Sequence, residues 1–297
     1  MHALRRLVTV VMIAAAVAPF CVVLEAQTSA AASGNRESAH DLVRDVIYNE
    51  LHDRERDSHW EYRSECFSSV EDLVREQIET DNGPVFRVLE RDGSPLEGPQ
   101  REREDERLEA YIHSPGQIAR VQHAHAEDEE RLATIMRMLP DAFLFEYAGA
   151  QSGDQVRIAF RPDPAFVPSG YEARIVHALA GMLTVDQRLR RMIDMRGVLA
   201  ERVDFGYGLL GHVEKGGTFE IHRRQVSAAH WKTDLVEVHV QGKILMLKTV
   251  SKDQREARTE FRPVPSGTTL AEAKDMLNEP ADRGTQARLV PAASPRR

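Results

Sequence analysis

The sequence predicts an α+β fold, mainly β, in which helices cover the concave apolar face of a curved antiparallel sheet or unclosed β-barrel. Two observations lead to this fold class. Residues 170–264 read as strand patterns separated by turns instead of helices, which favours antiparallel pairing. Helical periodicity is confined mainly to residues 39–54, 117–139 and 269–278. A curved sheet with one apolar face must cover that face, so we expect function to reside where it is covered.

The N-terminal segment predicts export. A basic start (Arg5, Arg6) precedes an apolar run over residues 7–24 and then small residues, which is typical of a secretory signal peptide. We therefore expect a signal peptide over residues 1–26, a polar linker over 27–38 and a periplasmic location. A retained membrane anchor stays as the alternative, because the run is near the lower length limit for spanning a bilayer.

Composition narrows the class of protein. A formal net charge of −8 and a pI of about 5.9 argue against a nucleic-acid partner, which requires a basic surface. Once the signal peptide is cleaved, Cys66 is the last cysteine, so no internal disulfide is expected. We interpret Cys66 as a small buried hydrophobe. Residues 39–278 are expected to form one domain of a monomer, followed by a disordered tail over 279–297.

The first half of that domain combines one helix with hairpins. Residues 39–54 carry apolar positions at helical spacing, with Ser38 as the N-cap. Arg44, Asp45 and Glu50 are expected on the solvated outer face. A strand begins at Trp60, and Asn82-Gly83 predicts a tight turn between strands over 71–80 and 85–90.

Residues 99–150 predict a helical insertion. The charged run 100–109 is either a solvated helix face or a mobile segment. A helix follows over 117–139 and is expected to end at Pro140. Its apolar stripe and a second apolar cluster at 141–147 either complete the core or form a lid over an apolar cavity. Met and Phe suit adaptable binding of lipid-like groups.

The remainder predicts a meander. Its expected strands are residues 156–161, 170–183, 188–204, 205–210, 218–227, 231–240, 243–248 and 259–264. Lys215-Gly216-Gly217 predicts a hairpin turn, and Gln241-Gly242 predicts another. Thr269 is the expected cap of a short C-terminal helix.

Catalytic motifs are absent, so no enzymatic activity, cofactor or metal is predicted. His123 and His125 lie two residues apart, but no HExxH motif accompanies them, so a metal-dependent hydrolase is the weakest alternative. The glycine-rich residues 205–211 lack the Lys-Ser/Thr of a phosphate loop. Arg223 and Arg224 either present a cation to an acidic ligand or face solvent as a basic pair.

A series of short motifs with loose spacing runs through the predicted meander of strands. In order these are Met182-Leu-Thr-Val-Asp186, Arg196-Gly-Val-Leu, Gly208-Leu-Leu-Gly211, Lys215-Gly-Gly-Thr-Phe219, Trp231 and Gly242-Lys-Ile-Leu-Met-Leu-Lys248. The chain resembles, over residues 39–278, the bacterial periplasmic superfamily of lipoprotein-sorting carriers. The resemblance implies an unclosed barrel around helices that shield an apolar cavity, and binding of lipids or acylated lipoproteins.

The leading expectation is therefore a non-enzymatic periplasmic protein that binds an acyl chain under a helical lid. The alternative is an envelope protein–protein interaction or stress-sensing module with a filled sheet. The candidate ligand-binding side chains are the apolar ones of the lid and of the glycine-rich strand: Leu132, Ile135, Met136, Leu139, Phe143, Phe145, Phe205, Tyr207 and Leu209.

Overall fold

A computed structural model describes residues 37–54, 59–149, 153–206, 210–244 and 248–278. The predicted signal peptide, nearly all of the linker and the predicted tail lie outside these residues. The fold class is confirmed, because the described chain is α+β with one large unclosed antiparallel sheet. None of its described helices combines the length and the hydropathy that crossing a bilayer requires.

The described helices are α1 (Ala39–Arg54), α2 (Pro99–Ile112), α3 (Pro115–Ala142), α4 (Gly170–His177) and α5 (Leu270–Asn278). The strands are β1 (Trp60–Ser68), β2 (Leu73–Ile78), β3 (Val85–Arg91), β4 (Ser94–Pro95), β5 (Phe143–Tyr147), β6 (Gln155–Pro162), β7 (Leu179–Asp186), β8 (Arg191–Leu199), β9 (Val203–Phe205), β10 (Gly211–Val213), β11 (Thr218–Gln225), β12 (Trp231–Ile244) and β13 (Lys248–Pro263).

The sheet is built from the middle outwards. Its strand order is β4-β3-β2-β1-β13-β12-β11-β8-β7-β6-β5, with β9 and β10 attached beside β12. The first four strands run from the centre to one edge, α2 and α3 follow, and the chain then meanders back from the other edge. The last strand, β13, closes the gap beside β1.

Helix α1 begins and ends as the periodicity predicts. The backbone N–H of Asp41 donates to Ser38 Oγ at 3.0 Å, which confirms the N-cap. The expected outer position of Glu50 is wrong, because only 1% of that residue is exposed. Position 50 lies four residues after Val46 and seven after Val43, so it shares their buried stripe.

The predicted β2–β3 hairpin is confirmed. Gly83 has a φ of 96°, the positive-φ conformation that glycine adopts readily and that the Asn-Gly pair predicts. Thr80 Oγ1 donates to the carbonyl of Gly83 at 2.7 Å, and this bond closes the turn. Local turn chemistry therefore determines this part of the sheet.

The helical insertion, predicted over residues 99–150, ends at Ala142. Pro140, the predicted end of its second helix, does not end that helix. Helix α3 continues through Pro140 to Ala142, because a proline in the last turn removes only one helical hydrogen bond. Phe143 and Phe145 then belong to β5, the edge strand. The charged run 100–109 is helical, and Glu104 and Leu108 within it are buried.

The strand predicted over residues 170–183 is wrong in its first half, where helix α4 forms. Ile175 and Val176 are both buried. A strand would place adjacent side chains on opposite faces, whereas a helix separates them by only about 100° and can bury both. The strand begins only at Leu179.

Two predicted hairpin turns are also wrong. The strands that flank Lys215-Gly216-Gly217 do not pair with each other. Instead β11 pairs with residues 231–239 of β12, and β10 pairs with residues 242–244 of the same strand. Strand β12 passes straight through Gln241 and Gly242. A Cβ atom at Gly242 would lie 2.5 Å from the carbonyl oxygen of His212, so this glycine permits the close approach of β10.

Strand β4 pairs with β3 only at Glu90 and Arg91, and helix α2 covers the part of the outer edge of β3 that precedes them. The backbone N–H of Val88 donates to Glu104 Oε1 at 2.8 Å, and Arg107 Nη2 donates to the carbonyl of Phe86 at 2.7 Å. Arg107 and Glu104 also form an ion pair at 2.7 Å. Two side chains of one helix thus replace a neighbouring strand and blunt this edge.

We expect Glu104→Ala to lower the free energy of unfolding by about 1–3 kcal/mol, because the buried N–H of Val88 loses its acceptor. Urea denaturation measures the change. Glu106→Ala, two residues along the same helix and exposed, is the control and should change stability by less than about 0.5 kcal/mol. Equal effects of the two substitutions would contradict the role of Glu104.

Candidate functional site

The register gathers apolar side chains on one face of strands β5–β8, β11 and β12. Val238 lies opposite Phe219, and Phe219 lies opposite Gly197. On the neighbouring strands, Leu183 lies opposite Ile158. Residues that oppose each other across an antiparallel pair point to the same face. We call the face formed by these strands the apolar half of the sheet.

Helix α1 lies against the apolar half. Leu42, Val43 and Val46 are buried in the same core as Phe219 and Ile158. Helix α3 lies in turn against α1 and β5. The element that fills the concave face is therefore α1, and the segment predicted as the lid adds a second layer at one side.

The structure brings together most of the predicted ligand-binding residues, but as members of one core. Ile135, Phe143 and Phe205 are buried in it, and Met136, Leu139 and Phe145 are partly buried against it. Leu132 is half-buried. Tyr207 and Leu209 lie outside the described residues.

A buried ion pair joins α1 to the sheet. Glu50 contacts Arg223 on β11 and accepts a hydrogen bond from the backbone N–H of Met192 at 3.1 Å. Arg191 Nη1 is 3.9 Å from the same carboxylate. Arg223 Nη2 also donates to the carbonyl of Trp231 at 2.8 Å. Burial lowers the pKa of Arg223 to about 10.

The two arginines on β11 thus have different surroundings. Arg223 points inward to Glu50, whereas Arg224 Nε lies 3.5 Å from Asp234. The interpretation of both as an outward-facing basic pair is wrong for Arg223, because the buried carboxylate of α1 compensates its charge.

On the same face of the sheet, polar and charged side chains replace apolar ones where β13, β1 and β2 lie side by side. Ser64 lies opposite Arg258 on β13 and opposite Arg75 on β2, and Cys66 lies opposite Glu256. We call these residues, with Tyr62 on the same face of β1, the polar half of the sheet. The principal contacts of α1 with the sheet are with β5 and β8, so α1 does not cover the polar half as it covers the apolar half.

Glu256 is the centre of the polar half. Its Oε1 accepts hydrogen bonds from Ser64 Oγ at 2.9 Å, Arg258 Nε at 2.9 Å and Arg75 Nη2 at 3.5 Å. Burial alone would raise the pKa of Glu256, but Arg258, Arg75 and Ser64 together lower it to about 2. Burial raises the pKa of Tyr62 to about 12, and the Arg258 guanidinium lies 5.3 Å from its ring centroid.

Two open clefts of the described chain lie elsewhere, between α2 and β3, and one of them extends to α5. Their volumes are about 310 and 190 Å³. Arg87 and Asp105 line both clefts and pair at 2.8 Å. Lys274, on the wall of the larger cleft, contacts Glu109. Basic and acidic side chains thus compensate each other here, and neither cleft adjoins the apolar half.

The histidines of α3 do not form a metal centre with described neighbours. His123 and His125 are both exposed, and His123 Nδ1 lies 3.7 Å from Glu127. The described ranges contain no group of three His, Cys, Asp or Glu side chains that could hold an ion. Cys66 is half-buried, and burial raises the pKa of its thiol.

Comparison with known proteins adds no relative. No protein-family model, curated protein or solved structure matches the chain.

Sequence reasoning missed the polar groups that organise the site. Glu50 had a signal, since it falls on the i+4 and i+7 positions of the apolar stripe of α1. Glu256 and Arg258 also had one, because their spacing of two puts them on one face of a strand. Arg75 had none, since its partner Glu256 is 181 residues away in sequence.

We expect the stability that Glu256 contributes to depend on pH. A carboxyl whose pKa is lowered from 4.5 to about 2 stabilises the fold above pH 4.5 and loses this contribution as the pH falls towards 2. The full contribution is on the order of 3 kcal/mol. Glu256→Gln should therefore be less stable than the parent at pH 7, and the difference should shrink between pH 4.5 and 2.

Urea denaturation across this pH range measures the effect. Glu65→Gln, a half-buried carboxylate on the opposite face of β1, is the matched control and should show little pH dependence of this kind. A Glu256→Gln deficit that stays constant down to pH 2 would contradict the assigned role.

Proposed function

We propose that this chain is a non-enzymatic exported binding protein that receives an acyl chain on the apolar half of its sheet. The proposal is based on how the apolar half is covered. The apolar half is continuous across six strands, and a separate helix, α1, fills it in a sheet whose edges do not close. This arrangement agrees with the resemblance to periplasmic lipoprotein-sorting carriers.

The second layer of the cover supports movement. In the last turns of α3, Ile135 and Ala142 are buried, whereas Met136, Met138 and Leu139 are only partly buried. Methionine side chains are flexible and repack against different neighbours. Helix α3 can therefore shift on α1 without the rearrangement that a tightly interlocked core would need.

In this proposal, the acyl chain takes the place of side chains of α1 and α3 on the apolar half. The described state is filled, so an incoming chain must replace contacts that α1 and α3 make with the sheet. Each buried CH₂ group of an acyl chain contributes about 0.8 kcal/mol. The apparent Kd then equals the intrinsic Kd divided by the fraction of molecules in which the cover is open.

Native mass spectrometry of the protein isolated from its own envelope tests the function. We expect an acylated ligand to be retained under gentle ionisation and to be recovered by solvent extraction. A protein that carries no lipid and also does not bind a fluorescent fatty acid would overturn the proposal.

We expect Glu50→Gln to strengthen the binding of a fluorescent fatty acid. The neutral amide leaves the buried guanidinium of Arg223 without its counter-charge in the closed state, and a loss of 1–2 kcal/mol in that state raises the open fraction about five- to thirty-fold. Fluorescence titration measures the change in Kd. Arg44→Gln, at an exposed position of the same helix, should leave Kd unchanged. An unaltered Kd for Glu50→Gln in a folded protein would contradict α1 as the cover.

A second candidate function is an interaction module with a filled sheet. The observation that favours it is an exposed apolar patch formed by Tyr171 and Leu210 around Phe205. Tyr171 is 43% exposed, and its ring centroid lies 5.2 Å from that of Phe205. The N–H of Leu210 donates to the carbonyl of Phe205 at 3.2 Å. Exposed aromatic side chains are enriched in protein interfaces.

In this second case we expect Tyr171→Asp to abolish crosslinking to an envelope protein, because the charge would have to be desolvated in the interface. Tyr48→Asp is the matched control, since Tyr48 is exposed on α1 at 59%. Crosslinking in whole cells, repeated on delipidated membranes, measures both variants. Crosslinking unaffected by Tyr171→Asp would rule out the patch as the docking surface.

A further inference from the structure

We propose that the polar half of the sheet binds the anionic headgroup of an acidic amphiphile whose acyl chain lies on the apolar half. This inference rests on the proposed function, and it adds the chemical class of the ligand. It concerns Arg75 and Arg258, to which neither the sequence patterns nor the resemblance assigned a role.

The two halves of the face are continuous. Val236 on β12 is partly buried against the core of the apolar half, and it lies directly opposite Glu256 on β13. Glu256 lies opposite Cys66 on β1, whose neighbour on β2 is Leu73. Strand spacing puts β2 about 14 Å from β12. One amphiphile can therefore span the step from apolar to polar surface.

The polar half carries more positive charge than its own carboxylate compensates. Two guanidinium groups, those of Arg75 and Arg258, share the single carboxylate of Glu256. All their bonds to it converge on one oxygen atom, Oε1, together with the Ser64 hydroxyl. Glu79 is the next carboxylate that acts on Arg258, but Glu79 is itself paired with Lys232 at 3.3 Å. Counted with this second pair, the described charges here still include one positive charge more than negative charges.

Arg75 is the side chain with donors to spare. Within the part of the chain that the structure describes, its Nη2 makes one long contact, at 3.5 Å with Glu256, and its buried Nε has no hydrogen-bond partner. The guanidinium lies 5.3 Å from the Phe86 ring centroid, so an aromatic ring supports it from one side. A buried donor without an acceptor is unfavourable. An anion that binds the exposed part of the guanidinium and draws it outward would give Nε an acceptor as well.

Arg75 can also be reached. Its side chain is 24% exposed, in contrast to the enclosed Glu50, which is 1% exposed. Guanidinium groups bind carboxylates and phosphates through parallel N–H donors, and partial burial strengthens such pairs. The position thus combines access with low solvation, which favours an anion over a neutral headgroup.

The test compares a fluorescent fatty acid, cis-parinaric acid, with its methyl ester at pH 8, where the acid is ionised. The two probes have the same chain and differ only in headgroup charge. We expect the unmodified protein to bind the acid roughly tenfold more tightly than the ester. Arg75→Gln should bind both probes with the affinity of the ester, and Arg75→Lys should retain part of the preference.

Arg63→Gln is the matched control. Arg63 lies on β1, its side chain is 28% exposed, and it pairs with Glu90 at 3.0 Å. It points to the opposite face from Ser64, so removing its charge should leave the preference for the acid intact. Thermal melts confirm that all variants are folded.

The outcomes separate this inference from the proposed function. If the unmodified protein binds acid and ester equally, or if Arg75→Gln keeps the preference, the headgroup site is overturned while acyl binding stands. If neither probe binds the unmodified protein, the proposed function fails. The comparison of the two probes on the unmodified protein needs no variant, so a variant that does not fold leaves the test intact.

Discussion

The placement of α1 on the apolar half of the sheet is the constraint on which the rest of the structure depends. Without this helix, the face that carries Phe219, Ile158 and Val238 would be open to water. Apolar contacts are non-directional, so on their own they specify the position of a helix less strictly than an ion pair does. The contact of Glu50 with Arg223 adds this specification, because a buried charge is tolerated only where its partner lies.

The two halves of the face are stabilised by different physics. The apolar half excludes water by close packing against α1, whereas the polar half is an ion cluster in which Ser64, Arg75 and Arg258 surround Glu256. The opposite face has its own smaller core, where Ile78 and Val85 pack with α2 and α5. Helix α3 spans the distance between the two cores, with Val121 near one end and Ile135 near the other.

Local signals predicted the elements that depend on nearby residues. The bounds of α1 followed from its apolar period and Ser38, and the β2–β3 turn followed from Asn82-Gly83. The errors came where tertiary contacts decide. Gly242 looked like a turn residue but accommodates the backbone of β10. The pairing of Glu50 with Arg223, far apart in sequence, leaves no local pattern, and neither does the gathering of strands β13, β1 and β2 into one polar surface.

The Glu50–Arg223 ion pair affects how readily α1 could leave the apolar half of the sheet. A buried ion pair adds little net stability, because both charges give up hydration to form it, and both regain hydration when it opens. An apolar pair of the same size would return no such energy on exposure. Glu50 and Arg223 therefore specify where α1 lies while adding little to the free energy that holds it there. In the proposed function, α1 would have to return to one position after each release, and this combination of specificity with little added stability would suit that role.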